Sequence, residues 1–211
     1  MKGLIISSGT ITDYNRLKLV IEKNDFVICA DGGTNHIMKV NKYPDLVIGD
    51  LDSINQETLN FIEKNKIPIQ KFPTIKDDTD TGIALEYLIE KGFKEITLMG
   101  VTGTRQDHTL ANIFLLDYIH GKNIKGKIID DNNIIYLVED YLRLEYMNNS
   151  FVSVIPITET GIEVSLSGFF YNLDNIKIKF GSTYGISNKV IEEYGEIKIH
   201  NGKALVFISR D

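Results

Sequence analysis

LVIGDLDS, residues 46–53, is a short β-rich apolar run that stops on glycine and is followed at once by two aspartates and a serine. A run with no polar residue alternating through it is covered on both faces, as strands of parallel sheets are. The same unit recurs upstream. LIIS at 4–7 leads into Gly9-Thr10, and FVICA at 26–30 leads into Asp31-Gly32-Gly33. Downstream, ITLM at 96–99 leads into GVTGTRQDH at 100–108, and KIID stands at 127–130. Longer amphipathic segments separate these runs. Ile83 with Tyr87 and Ala84 with Leu88 hold i,i+4 spacing in a helix expected over 83–91, and a second is expected over 110–120, closed by Gly121. Strands alternating with helices give an α/β fold with a Rossmann-like parallel sheet, expected over residues 1–130.

The texture changes after residue 131. LRLEY, FVSVIPI, IEVSL, IKIKF, EIKIH and ALVFI alternate polar and apolar residues between Asn, Gly, Asp and Ser, the pattern of antiparallel strands. An all-β sandwich is expected over 131–211. Within it, Asn201-Gly202 reads as a two-residue hairpin turn, because both central positions of a type I′ turn need positive φ.

Composition narrows the function. The chain has 211 residues of which 43% are apolar, enough to bury a core. Its net charge of −6 argues against a nucleic-acid partner, which calls for a basic face. MKGLIISSGT carries no apolar stretch long enough for a leader or a spanning helix, so no membrane association and a cytoplasmic location are expected. Cys29, inside FVICA, is expected to be a buried structural thiol.

The acidic motifs share one place. Each follows a strand, and in open α/β sheets ligands bind at the carboxyl edge. Lys76-Asp77-Asp78-Thr79-Asp80 opens a helix and joins them. Carboxylates collected in a crevice suit Mg²⁺ held by one or two side chains and by substrate phosphate oxygens, the arrangement of phosphoryl transfer. Asp50 and Asp52 can serve as the pair, although GDLDS also reads as a plain turn. KDDTD also reads as a helix cap, and Lys76 either reaches a phosphate or stays solvated. In the 100–108 loop, Gly100 and Gly103 allow close backbone approach on either side of Thr102, and Arg105 offers a planar fork to an anion. Asp107 orients that fork, binds metal indirectly or caps the helix, while His108 serves the site or hydrogen-bonds locally. The P-loop spacing is absent from the chain, which disfavours that class of nucleotide site.

Taken together, DGG, GDLDS, KDDTD with Ala84-Leu85, and G-x-T-G-x-R-x-D-H followed by Leu110 and Asn112 resemble the thiamine pyrophosphokinase family. Gly168 to Tyr171 and the run from Gly181 to Asn188 look like that family's β-sandwich segments, so the resemblance covers nearly the whole chain. It implies a homodimer with active sites at the interface, ATP and thiamine as substrates, and Mg²⁺ as the cofactor. Asp31, Asp50, Asp52, Asp78 and Asp80 would then surround magnesium and the ATP phosphates, with Gly32, Gly33, Asp77 and Thr79 beside them. Arg105, Asp107, His108 and Asn112 would line the nucleotide side, and Ser187 and Asn188 the thiamine pyrimidine. Phe169, Phe170, Tyr171 and Tyr184 are candidate ring partners, or core. Thr104, Gln106 and Lys189 depart from the family pattern but leave the aspartates intact.

The reaction so implied moves a pyrophosphoryl group from ATP to thiamine. Two other readings remain open on the residues alone: a kinase that transfers one phosphoryl group to another small alcohol, and a non-catalytic nucleotide or thiamine diphosphate sensor.

Overall fold

The computed structural model describes residues 1–71 and 78–211. It divides into two compact units, Met1–Asp131 and Asn132–Asp211.

The first unit is a parallel sheet with helices between its strands. Its elements run β1 (Lys2–Ile6), α1 (Tyr14–Glu22), β2 (Phe26–Ala30), α2 (Gly33–Lys39), β3 (Leu46–Gly49), α3 (Gln56–Lys64), β4 (Ile69–Lys71), α4 (Asp80–Glu90), β5 (Glu95–Met99), α5 (Gln106–Gly121) and β6 (Lys125–Ile129). The strands stand in the order β4-β3-β2-β1-β5-β6, each pair parallel. Leu4, Ile5, Ile6, Ile28, Val47, Ile48 and Leu98 are completely buried. Leu17 of α1, Ile37 of α2, Ala84 and Leu88 of α4 and Ile119 of α5 are likewise sealed from water. Each such Leu or Ile contributes about 1.5–3 kcal/mol through lost water contact. Cys29 is buried as well, and burial drives its thiol far above the ordinary range despite a hydrogen bond with Thr34.

The strand order is what creates the site. From β1 the chain winds outward through β2, β3 and β4, then returns to place β5 on the other side of β1. The connections leaving β1 and β5 therefore diverge and open a crevice at the carboxyl edge between them.

Local details differ from the sequence reading in instructive ways. Helix α4 begins at Asp80 rather than 83, with Thr79 as the cap accepting from the Gly82 N–H at 3.2 Å. Helix α5 begins at Gln106 and runs through Gly121. Gly121 does not close it. Asn123 takes the left-handed turn instead, at φ 57°, a conformation that asparagine tolerates.

The second unit is antiparallel, with β7 (Asn133–Val138), β8 (Tyr141–Glu145), β9 (Phe151–Pro156), β10 (Ile162–Ser167), β11 (Leu173–Ile178), β12 (Tyr194–Asn201) and β13 (Ala204–Ser209). Strand β13 pairs with β7 and β9, while β10 pairs with β11 and β12, and β12 with β8. Val152, Val154, Val206 and Ile208 from one set of strands share a core with Val164, Leu166, Ile197 and Ile199 from the other. This is the expected sandwich, with one correction: Asn201-Gly202 makes no hairpin. Strands β12 and β13 belong to different layers, and of the two turn residues only Gly202 takes a positive φ, +85°. The turn crosses between layers because both strands bury alternate apolar side chains in the shared core.

Gly33 shows how tightly the crevice edge is packed. A Cβ there would lie 1.9 Å from the Ile6 carbonyl oxygen, a backbone atom that cannot step aside. Gly33→Ala is therefore expected to destabilise the fold by about 3 kcal/mol or more, read as a lower urea midpoint; a midpoint unchanged from the parent would contradict this packing.

Candidate active site

Two neighbouring features occupy the carboxyl edge of the first unit. One is a carboxylate group after β2 and β3. The other is a cleft of roughly 440 Å³ between the connections leaving β1 and β5.

Asp31 ends the β2 connection at φ 47°, and its backbone N–H donates to the Ile48 carbonyl at 2.8 Å, which ties it to β3. Asp50 and Asp52 stand in the turn after β3, shaped by Leu51 at φ 72° and by the Asp52 N–H donating to the Asp50 carboxylate. One carboxylate oxygen from each of Asp31, Asp50 and Asp52 lies within 4.8 Å of the others. Asp80, in the first turn of α4, faces the same place. Gly49 makes this convergence possible, since a Cβ on it would lie 3.1 Å from the Asp31 Cβ and 3.3 Å from Asp80 Oδ1.

Asp31 is in an unusual state. It is 8% exposed, and its Oδ1 is buried with no hydrogen-bond partner among the described residues. Burial pushes its carboxyl above the usual range. Hydrogen bonds from Ser53 and the Gly32 N–H oppose that rise, and the Asp80 and Asp52 charges add to it. A buried oxygen without a donor beside two further carboxylates is a set of hard oxygen ligands, which fits a small divalent cation.

The cleft is lined by backbone and small polar side chains, among them Ser7, Gly9, Thr10, Thr102 and Gly103, with Arg105, His108 and Asn112 at its margin. Asn112 holds the loop by donating to the Val101 carbonyl at 2.8 Å. Arg105 grips Asp107 through two nitrogens, at 2.6 and 3.3 Å. Arg105 is the main reason that the Asp107 carboxyl is held down to about 2, with help from the His108 N–H. The opposite wall is braced from two sides. The His36 Nε2–H donates to the Gly9 carbonyl at 2.8 Å, Tyr14 donates to His36 Nδ1, and Lys39 donates to the Tyr14 oxygen. Asp131 accepts from the Thr12 N–H, the Thr12 hydroxyl and the Asp13 N–H.

Of the residues singled out from the sequence, Asp31, Asp50 and Asp52 come together, while Asp78 and Asp80 stand outside that three-carboxylate group. Gly32 and Gly33 form the start of α2 and Thr79 caps α4. Lys76 and Asp77 lie outside the described residues. In the second unit, Ser187 sits at φ 61° with its N–H on the Ser153 hydroxyl, and Tyr184 is exposed. Asn188 is buried, its amide engaged with both the N–H and the carbonyl of Tyr171. Phe169 is core, whereas Phe170 and Tyr171 are exposed and meet edge to face. Sequence reading missed His36, Asp131 and the buried Ser7–Thr81 hydroxyl pair at 2.8 Å. His36 follows Gly33 closely in DGGTNH and was there to be found; Asp131 carried no signal beyond its place after a strand.

The family profile described as "Thiamin pyrophosphokinase, catalytic domain" matches residues 17–128, and "Thiamin pyrophosphokinase, vitamin B1 binding domain" matches residues 141–206. Thiamine pyrophosphokinase of Bacillus subtilis (strain 168) is 35% identical over 186 residues, 87% of each chain. Among solved structures, thiamine pyrophosphokinase from Bacillus subtilis superposes with a TM-score of 0.90 at 31% identity over 100% of both chains. Thiamin pyrophosphokinase from Geobacillus thermodenitrificans gives 0.85 at 28% identity over 100% of this chain and 98% of that one.

The His36 brace has a pH signature. Burial, above all, lowers its pKa below 6.5, with Lys39 adding to the drop and the Gly9 carbonyl and Asp131 opposing it. The folded state thus holds a neutral ring, so its stabilisation is present above the unfolded value and is lost as pH falls through the folded one. Unfolding free energy measured from pH 7.5 down to 5 should fall below pH ~6.5, and His36→Gln should flatten that slope; equal slopes would remove His36 from the account.

Proposed function

The chain belongs to the thiamin pyrophosphokinase family, and from that membership we infer its reaction: it uses ATP and transfers a pyrophosphoryl group to thiamine. It is an enzyme, a thiamine diphosphokinase. The observation that carries a local mechanism is the Asp31–Asp50–Asp52 group, with an Asp31 oxygen buried and without a hydrogen-bond partner among the described residues, set beside a cleft lined by backbone and a cationic fork.

The proposed chemistry forms a bond between the thiamine hydroxyl oxygen and the β-phosphorus of ATP and breaks the bond from that phosphorus to the oxygen it shares with the α-phosphorus, which leaves on AMP. The hydroxyl proton leaves to a crevice carboxylate. Asp50 and Asp52, together with Asp31, are proposed to hold Mg²⁺, with Asp78 and Asp80 completing the acidic wall. When bound, the ion supplies charge neutralisation to the phosphate oxygens. The chain's own groups position the nucleotide. Thr102 and Gly103 present backbone to it, His108 and Asn112 border it, and Arg105 balances phosphate charge. The Arg105–Asp107 pair is exposed on both sides, 70% and 65%, so exchanging Asp107 for a phosphate costs little. Lys76 and Asp77 are assigned to the same phosphate region from the motif alone.

In the second unit, Tyr184 and Ser187 are proposed to meet thiamine. Asn188 acts there by fixing the Tyr171 peptide, and with it the exposed pair of rings. A homodimer is proposed, with active sites completed at its interface. Supporting it, Leu110, Phe114 and Tyr118 form an exposed stripe at i,i+4 spacing along α5, and Phe170, Tyr171, Tyr184, Ile186 and Ile191 are exposed on the second unit. No helix among the described residues is long and apolar enough to cross a membrane. A cytoplasmic site of action is proposed with it.

The decisive assay incubates the purified protein with ATP, Mg²⁺ and thiamine and resolves the products chromatographically. AMP and thiamine diphosphate should appear together; ADP in place of AMP would overturn the reaction. Asp52→Asn should lower kcat by roughly 10²–10³-fold with the fold intact, and a fully active variant would remove the metal assignment. Sedimentation should give twice the chain mass, and a monomer of full activity would contradict the shared site.

A further inference from the structure

We propose that Asn35, whose side-chain amide bonds Ser53, Asn55 and Thr58, is a positioning residue that sets the geometry of the cation site. This inference rests on the reading of Asp31, Asp50 and Asp52 as that site.

The geometry is specific. Asn35 lies on α2, the helix that starts directly after Asp31 and Gly32. Its side-chain amide donates to the Ser53 carbonyl at 3.2 Å. Its carbonyl oxygen accepts from the Thr58 hydroxyl at 2.8 Å and, at the 3.5 Å limit, from the Asn55 N–H. One side chain therefore ties the helix that follows Asp31 to the far end of the turn that carries Asp50 and Asp52. Ser53 is the right anchor, because its hydroxyl donates to Asp52 at 3.0 Å. Within the turn the Asp52 N–H donates to the Asp50 carboxylate and the Ile54 N–H to the Leu51 carbonyl, bonds that shape the turn without tying it to α2. Asp50 and Leu51 are half-buried, Asp52 and Ser53 are exposed, and Leu51 occupies the left-handed region that non-glycine residues leave readily. Repulsion among the three carboxylates works to spread them. Without the amide clamp the turn is free to relax outward, and the three oxygens lose the spacing a cation needs. Groups of this kind, acting on ligands from outside, change metal affinity more than they change the fold.

The test compares three variants by direct Mn²⁺ binding in calorimetry, by the Mg²⁺ concentration that half-activates turnover, and by thermal unfolding. Asn35→Ala removes the clamp. Asn35→Asp keeps the acceptor for Thr58 but deletes the donor to Ser53, and its added negative charge alone would strengthen cation binding. Thr58→Val cuts only the link to α3. Asn35→Ala and Asn35→Asp should bind Mn²⁺ roughly 10-fold or more weakly, with a matching rise in the Mg²⁺ requirement and kcat at saturating metal little changed. Thr58→Val should lose stability while keeping parental Mn²⁺ affinity. Parental affinity in a folded Asn35→Asp protein would overturn the inference, as would an equal loss of affinity in Thr58→Val. An unaltered chain that binds no Mn²⁺ and turns over without metal would instead overturn the cation site on which the inference rests.

Discussion

Like charges forced together at the ends of two strands are the constraint on which this molecule turns. Asp31, Asp50 and Asp52 have oxygens within 4.8 Å of one another, Asp80 faces Asp31 from α4, and one Asp31 oxygen is buried with no donor among the described residues. Burial first, and after it the Asp80 and Asp52 charges, raise the Asp31 pKa. A carboxyl whose folded value lies above its unfolded one stabilises the fold only at low pH, and at neutral pH, ionised, it works against folding. Such a group persists where function requires it and the surrounding structure over-determines it. Here the surroundings are the buried strands β1, β2 and β3 and the close approach that Gly33 and Gly49 allow.

The rest of the first unit serves that edge. Reversal of strand order between β1 and β5 opens the cleft, and the loops on its two walls are tied down rather than left to fluctuate. His36 and Asp131 hold the loop after β1; Asn112 and Thr109 hold the loop after β5. Phosphoryl and pyrophosphoryl transfer ask the protein mainly for positioning and charge balance. A cleft made of fixed backbone, one exposed cationic fork and a neighbouring acidic group meets both demands.

Much of this was legible in the residues. Unbroken apolar runs such as FVICA and LVIG can be buried only on both faces, so the parallel sheet followed from them, and the motifs after each run placed the crevice. The short edge strand β4 escaped notice because Ile69, Gln70 and Lys71 are all exposed and carry no periodic signal. The crossing of β12 and β13 between layers was illegible for a different reason. Asn-Gly encodes a tight turn, and which sheet each arm joins is decided by core packing far away in sequence. Asn188 was read as a ligand residue, and its bonds to Tyr171 depend on a loop seventeen residues distant. The His36 residue itself stands in view in DGGTNH, but its partner, the Gly9 carbonyl, is not legible, because the bond joins side chain to backbone across a long separation.

The most direct test of the central claim is unfolding stability as a function of Mg²⁺ concentration, for the parent chain and for Asp31→Asn. If the carboxylate group is built for a cation, the parent is stabilised as Mg²⁺ is added, while Asp31→Asn is the more stable of the two without metal and responds little to it. A parent indifferent to Mg²⁺, together with an Asp31→Asn protein less stable than it, would contradict the account.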